Sequence, residues 1–465
     1  MNIVFDIFPS HGHQRSTHKL AKLLTDHGHK VYYIGQNRYF KYLPSEIARK
    51  NINPYIFNFI ELRTNRVWKN MKIAFKEKRK HTFYKTNKQT IEQYDELIGE
   101  LKPDVILLDH HYVQKSVMYF KYRIPVISVQ TAPASEMHPT IPPFRSSHIP
   151  DKTLLSKLKI RYLWYYYLLK KRIRFFFYWI LYLGEDHLST VKRISKQTGF
   201  PLYKYIDYKH YKGYGEFGLR NIPQFLLSPR DFDFPHPLKK YQYAIGPLTL
   251  KEDDEIIRNR RYTEVRNKIL QERETEKIFF IYCSLGTVTS NGLKNSIKIF
   301  QYVIETGIRN PKYRIVISTG EFINPALFLP IPNNVYLFKD LPQKDILRYC
   351  DMMIAHGGQN SITECVMNIV PMLIYPYFEH SDLGGNSARV VYHSLGNRGF
   401  IEKETIEQME SKIRDVLHNP AYRNNLLTMR LKFEEKNNST DVIEIIESIV
   451  TAYKNEEIFP SIHST

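Results

Sequence analysis

Short, almost wholly apolar runs alternate along the chain with stretches whose apolar residues recur every three or four positions. In the first half, Ile3–Phe8, Val31–Ile34, Val105–Leu108 and Pro125–Val129 read as strands. Leu20, Ala21, Leu23 and Leu24 sit at helical spacing within Ser16–His27, and Gly28 ends that helix. The second half repeats the alternation. Strands are predicted at Ile278–Cys283, Tyr313–Ser318, Val335–Phe338, Met352–Ala355 and Met372–Tyr375, and helices at Leu293–Thr306, Gln343–Cys350, Ser361–Asn368 and Ser387–Ser394. Uninterrupted apolar strands separated by helices predict an α/β protein with parallel sheets covered on both faces. Pro and Gly cluster at 231–237 (DFDFPHP) and 243–248 (YAIGPL), which marks the end of one domain and the start of a linker.

The 465 residues suffice for two domains, each with its own core. The expected division is 1–240, 241–435 and a C-terminal helix and tail at 436–465. The net charge of +20 favours anionic partners: nucleotides, a membrane surface or nucleic acid. No nucleic-acid motif accompanies the charge, so no nucleic-acid partner is expected and anionic lipid ranks above it; a lysine-rich proteome could supply part of the excess. Cys283, Cys350 and Cys365 are an odd number and fall within strand and helix patterns, as buried reduced thiols of a cytoplasmic protein would. The N-terminus, MNIVFDIFPS, reads as a core strand rather than a signal peptide. No uncharged apolar stretch reaches the roughly 18 residues of a spanning helix.

The most informative chemistry lies at 355–389. The apolar run Met352–Ala355 ends at His356, Gly357 and Gly358, and a helical pattern follows. A strand feeding a Gly-rich turn that opens a helix presents free backbone N–H groups and the positive end of a dipole, which suits a phosphate. Glu364 falls one turn beyond Asn360 on the same face, where it could accept from sugar hydroxyls. An ordinary strand–helix turn would explain the glycines but not the company of His356, Asn360, Ser361 and Glu364. Ser284, Gly286 and Thr287 form a second turn able to offer hydroxyls and N–H groups to phosphate, a pattern nonspecific on its own.

These residues resemble the donor signature of the nucleotide-sugar-dependent glycosyltransferases that include plant secondary-product, macrolide and glucuronosyl enzymes. The match runs through His356, Gly357, Gly358, Asn360, Ser361, Glu364, Pro371, Pro376, Asp382, Asn386, Ala388 and Arg389. The resemblance implies two Rossmann-like domains facing a cleft (the GT-B architecture), with a last helix, Asp441–Lys454, crossing back to the N-terminal domain. It implies that Ser284, Gly286 and Thr287 contact the diphosphate, that Gln343 holds base and ribose, and that Asp382 holds sugar hydroxyls. Two positions depart from the family. Asp340 stands where many members carry a base-stacking Trp, so UDP is favoured and dTDP stays open. Leu383 stands where the family has Gln, which leaves the sugar open.

In the first half, Phe8–His13 closes the first strand, and the carboxyl end of a parallel strand faces the ligand crevice. His13 suits a general base because imidazole titrates near the operating pH, although a loop histidine is more often structural. The family's N-terminal motif matches Gly12, His13, Leu20, Ala21, Gly28, His29 and Val31, with Ser16 where the family has Pro. By resemblance, Asp109 orients His13 and stabilises its imidazolium; read alone, Asp109 is equally the N-cap of a segment starting at His110. His11, His110 and His111 crowd the region and could substitute for or tune His13. A metal site there is disfavoured because the family needs none.

The implied activity is inverting, metal-independent hexosyl transfer from a UDP-sugar, with no cofactor beyond that cosubstrate. Residues 157–183 (KLKIRYLWYYYLLKKRIRFFFYWILYL) are aromatic and basic. They read either as an interfacial segment on anionic lipid or as a pair of helices lining an apolar acceptor pocket, and both point to a hydrophobic acceptor. The rivals are a nucleotide-sugar epimerase, an inactive transferase-like binding partner and a lipid-linked cell-wall transferase. The epimerase fits less well because His13 and Asp109 match the transferase pattern, the inactive partner because the base and the phosphate turn are both present, and the cell-wall transferase because Ser10, His11, Gly12 and His13 do not resemble its Gly-rich first loop.

Overall fold

The structure is a computed structural model and describes residues 1–37, 40, 43–52, 67–79, 82–133, 136–184, 186–209, 218–249, 259–286, 292–377, 382–438 and 440–455. Its strands in the first half are β1 (Asn2–Asp6), β2 (Lys30–Gly35), β3 (Ala48–Asn51), β4 (Val105–Asp109), β5 (Val126–Gln130), β6 (Ile206–Asp207), β7 (Gly218–Leu219), β8 (Gln224–Leu226) and β9 (Gln242–Ala244). The second half contributes β10 (Phe279–Ser284), β11 (Tyr313–Ser318), β12 (Val335–Phe338), β13 (Met352–Ala355), β14 (Met372–Ile374) and β15 (Gly396–Arg398).

The helices before β10 are α1 (His11–Asp26), α2 (Val67–Arg79), α3 (Thr82–Leu101), α4 (Ser116–Tyr119), α5 (Leu154–Leu181), α6 (His187–Thr198), α7 (Leu202–Tyr205) and α8 (Arg260–Thr275). After it come α9 (Leu293–Arg309), α10 (Gln343–Leu347), α11 (Gln359–Asn368), α12 (Leu383–Tyr392), α13 (Ile406–His418), α14 (Pro420–Asn438) and α15 (Asp441–Lys454).

The apolar runs become two separate sheets. The first has the order β3-β2-β1-β4-β5-β8-β9 and the second β12-β11-β10-β13-β14-β15. Both are parallel throughout. Helices cover both faces, which is why β4, β5 and β13 are buried along their whole length. In each sheet the strand order reverses beside the first strand: β1 lies between β2 and β4, and β10 between β11 and β13. Ligands of parallel sheets bind at such switch points, at the carboxyl ends of the strands. One switch point carries His13 and Asp109; the other carries Gly286 and His356.

The differences from the sequence reading have local causes. Helix α1 begins at His11, not Ser16, because Ser10 Oγ accepts from the backbone N–H of His13 and caps it. His13 therefore sits in a helical first turn rather than in a loop. The strands β3 (ARKN) and β15 (GNR) have no apolar run to announce them; both lie at sheet edges, where polar residues are tolerated. Helix α10 stops at Leu347. The aromatic-basic segment is one continuous helix, α5, not a pair.

Several contacts join the halves. Val442, Ile446, Ile449 and Val450 of α15 pack into one core with Ile3, Leu20 and Val31. The buried Arg389 guanidinium donates to Asp233 Oδ1 from Nε (2.8 Å) and Nη2 (2.6 Å), over the Phe234 ring. Helix α12 starts so close to the 144–145 backbone that a Cβ on Gly385 would fall 1.6 Å from Phe144 O. Among the described residues, no helix is long and apolar enough to cross a membrane.

Candidate active site

His13 and Asp109 come together from the carboxyl ends of β1 and β4. His13 Nδ1 lies 2.7 Å from Asp109 Oδ2 and 3.3 Å from Thr131 Oγ1. Asp109 Oδ1 accepts from the backbone N–H of His111 at 2.7 Å and lies 3.3 Å from His111 Nδ1. The carboxylate thus caps the 3-10 turn His110–Lys115 with one oxygen and contacts His13 with the other.

Burial would raise the Asp109 pKa, but the His13 charge and the bonds to His111 and His13 hold it well below the usual carboxylate range. An ionised carboxylate only accepts, so Nδ1 carries the His13 proton and Nε2 is left as the basic nitrogen. Burial pushes the His13 pKa down. The Asp109 charge, its hydrogen bond and the charge of Asp382 outweigh that, and His13 titrates above the ordinary value. Asp382 belongs to the second half of the chain, so its field crosses the cleft.

Phe8 packs against His13 and His111, with ring centroids 5.3 and 5.2 Å away. His111 meets His13 edge-on at 4.6 Å. His110 turns away instead: it is buried, with Nδ1 3.2 Å from Ser128 Oγ and 3.3 Å from Gln224 Nε2. The His11 side chain lies outside the described residues. Among the described residues, His13, Asp109 and His111 offer one ligand atom each within 4.8 Å of one another, a spacing that could hold a cation; hydrogen bonding already accounts for it.

Across the cleft, α11 opens at Gly358 with no side chain capping it and no acid in its first turn, so its leading N–H groups and dipole stay available to an anion. His356 fits between two glycines. A Cβ on Gly286 would come within 2.6 Å of its Cε1, and one on Gly358 within 2.6 Å of its Nε2. Gly286 (φ +65°) and Gly357 (φ +96°) hold left-handed backbone that favours glycine. Burial pushes the His356 pKa down to about 4, so the ring is neutral.

Gln343 Nε2 donates to Glu364 Oε2 (2.6 Å) and Ser361 Oγ (3.1 Å), which brings three predicted donor residues into one cluster. Asn386 Nδ2 lies 2.9 Å from both Asp382 Oδ2 and Gly357 O, tying the carboxylate to the glycine turn. Ser284 ends β10 and is buried. Thr287 lies outside the described residues. Asn360 does not stand alone in the donor half: its Nδ2 donates to Gly12 O (3.3 Å) and its Oδ1 accepts from Ser16 (3.0 Å).

Residues 226–437 match the model of the UDP-glucoronosyl and UDP-glucosyl transferase family. The NDP-glycosyltransferase YjiC of Bacillus licheniformis is 21% identical over 448 residues, 96% of this chain and 97% of that one. The second half of this chain thus matches the UDP-glycosyltransferase family model, and the similarity to YjiC runs the length of the chain. It is a glycosyltransferase, and its two parallel sheets are the GT-B fold. The glycotransferase of kitacinnamycin superposes with a TM-score of 0.67 at 17% identity, over 96% of this chain and 98% of its own. The glycosyltransferase VinC, solved in complex with dTDP, superposes at 0.59 and 12% identity, over 98% and 100%.

Against the family pattern, the Asp340 carboxylate of this chain accepts from the backbone N–H of Leu341, 3.0 Å away. Leu383 is buried in the core of the second half. Thr131, Ser16 and Asn386 escaped prediction as site residues. For Ser16 the signal was its departure from the family's proline, and for Asn386 its place in the motif. Thr131 had no signal, since a threonine after a strand is unremarkable.

Proposed function

We propose that the chain moves a hexose from a UDP-sugar to a hydroxyl of a hydrophobic acceptor, with inversion and without a metal. The observation that carries this is the pairing of an oriented, electron-rich His13 with the uncapped start of α11, one on each side of the cleft. His13 Nε2 takes the proton of the acceptor hydroxyl as its oxygen bonds to the anomeric carbon. The bond from that carbon to the diphosphate oxygen breaks, and the electron pair leaves on the nucleoside diphosphate. Attack from the face opposite the leaving group inverts the configuration.

Asp109 stabilises the imidazolium as it forms, the role of a triad's carboxylate. The leading N–H groups of α11 and the neutral His356 stabilise the departing diphosphate, with Ser284, Gly286, Thr287 and Ser361 beside it. These donors supply the positive potential a metal would otherwise provide. Gln343 and Glu364 hold the nucleoside, and Asp382, with lone pairs beyond its bond to Asn386, holds sugar hydroxyls. The dTDP complex of VinC keeps dTDP-sugars in the donor panel. The exposed α5 supports an acceptor of lipid, pigment, polyketide or phenolic type.

Thermal unfolding against UDP, dTDP and their sugars tests the reading. A ligand at a hundredfold excess over its Kd adds about 2.7 kcal/mol of stability. A selective shift with one nucleotide, followed by transfer from its sugar to a phenolic or lipid acceptor, is the expected result. No shift with any nucleotide from folded protein would overturn it.

A further inference from the structure

Helix α5 touches the rest of the protein along one stripe. Ser156, Ile160, Trp164 and Lys171 are its buried residues. At about 100° per residue, the side directly opposite carries Leu155, Tyr162, Leu169, Ile173, Phe176 and Ile180, all exposed, and the exposed Trp179 lies at its edge, in line with Arg161. Cations edge this apolar face on both sides: Lys157 and Arg161 along one edge, Lys159 and Lys170 along the other, all exposed. The helix contains no acidic residue. Helix α2 extends the surface beside the C-terminal end of α5, where Ala74 packs on Tyr182 and Lys78 Nζ donates to Leu183 O at 2.5 Å. It adds Trp68, 77% exposed, and Phe75, interleaved with exposed Lys69, Lys72 and Lys76. Two of the chain's three tryptophans therefore point outward.

We propose that α5 and α2 form a face that lies on an anionic phospholipid bilayer, aromatic rings at headgroup depth and cations on the lipid phosphates. A helix shaped for water would turn its apolar residues in; α5 instead exposes a broad apolar and aromatic band between its outward cations. Its outward apolar face flanked by lysine and arginine is the pattern of an interfacial helix, whose long cationic side chains reach past the apolar band to the headgroups. Charge decides against a second copy as the occupant. An isologous pair of these faces would set one acid-free basic helix against another.

The face is one layer from the active site. Ile160 and Trp164 pack on Phe144 and Ala132, and Trp164 Nε1 donates to Ile141 O at 2.8 Å. Ala132 follows Thr131, the neighbour of His13. An acceptor dissolved in the bilayer would thus arrive beside the cleft. That last step rests on the transferase reading; the lipid contact does not, and sedimentation reads it whatever the chemistry.

The test is sedimentation of the full chain with vesicles of phosphatidylcholine alone and of phosphatidylcholine mixed with phosphatidylglycerol, with tryptophan emission recorded in parallel. The expected result is binding to the anionic vesicles only, weakened by salt, with a blue-shifted emission quenched by brominated acyl chains. Lys159→Glu with Lys170→Glu, and separately Phe176→Ser with Trp179→Ser, should each lower partitioning on the order of tenfold. Their melting temperature and nucleotide binding should stay unchanged. Folded protein that ignores anionic vesicles, or binds both kinds equally whatever its charge, overturns the proposal. So does a dimer that Phe176→Ser with Trp179→Ser disperses while the parent binds no vesicle, which would assign the face to a second copy.

Discussion

The Ser16 hydroxyl lies 3.0 Å from Asn360 Oδ1 and 2.8 Å from Gly12 O, so one proton is shared between its own helix and the opposite half of the protein. Asn360 returns the contact by donating to Gly12 O. The turn that carries His13 is thereby tied to the first turn of α11, where the diphosphate is proposed to leave. A proline at 16, the family residue, could not make this bond. Ser16→Ala should cost about 1 kcal/mol of stability and lower kcat several-fold with little change in donor KM. Asn360→Ala should raise donor KM as well. The double variant should fall short of the sum by on the order of 1 kcal/mol, the mark of a direct contact. Additive losses would mean that the two residues act separately.

The His13–Asp109 pair sets the pH dependence. The proposed base must be neutral to accept a proton, and its folded pKa is raised. Activity should therefore fall on the acid side through a pKa above the ordinary value of about 6.5. Asp109→Asn removes the charge that raises it, so the acid limb should move to lower pH while the maximal rate drops, by about 10²- to 10⁴-fold. For stability the signs separate. The raised His13 pKa contributes stability that is full below about 6.5 and lost as pH rises through the folded pKa. The depressed Asp109 pKa contributes stability that is present above about 3.9 and lost as pH falls through the folded pKa. Rate profiles and urea melts of both proteins across this range check the two signs independently.

Much of this was legible in the chain, because a parallel sheet buried on both faces writes itself as unbroken apolar runs. The strands Tyr313–Ser318, Val335–Phe338 and Met352–Ala355 have the predicted bounds. The polar edge strands were not legible, since nothing in ARKN distinguishes an edge from a loop. The pairing of His13 with Asp109 was readable only through the family, because 96 residues separate them and spacing cannot report a contact between neighbouring strands. The cross-cleft bond of Ser16 to Asn360 spans 344 residues and has no local signature. The single long α5 was obscured by Lys170, Lys171 and Arg172, which look like a break until Lys171 turns inward and donates to Tyr208 O at 3.1 Å.

The glycines around His356 give a steric prediction. Gly286→Ala would set a methyl group 2.6 Å from the imidazole and force left-handed backbone on an alanine. Gly358→Ala meets the same ring at 2.6 Å without a backbone penalty. Gly286→Ala should lose about 1–3 kcal/mol and Gly358→Ala less. Both should weaken nucleotide binding, because the ring must leave its slot. His356→Ala combined with Gly358→Ala should recover the stability lost by Gly358→Ala but not the nucleotide affinity. Chemical denaturation and nucleotide titration of the three variants separate the two effects.

Behind the active site, Lys115 Nζ reaches Asp6 Oδ1 and Oδ2 at 3.0 and 2.9 Å and Tyr94 OH at 3.0 Å, while Tyr119 donates to Asp6 at 2.7 Å. Both charges are fully buried, Lys115 at 1% exposure and Asp6 at 0%. Lys115 closes the 3-10 turn that Asp109 opens, and its ammonium sits 3.9 Å from the Tyr112 ring centroid. Breaking a buried pair strands a charge, so Lys115→Met should cost about 3–5 kcal/mol. Removing the stranded charge as well, by Asp6→Asn with Lys115→Met, should return much of that loss, because the cost lies in the uncompensated carboxylate and not in the missing ammonium. The field of Lys115 also reaches Asp109. The double variant should therefore retain the fold yet shift the acid limb of the rate profile. Urea midpoints for the single and double variants check the first claim and the rate profile checks the second. A double variant no more stable than Lys115→Met would show that packing of the lysine stem, rather than charge, holds the turn beneath Asp109.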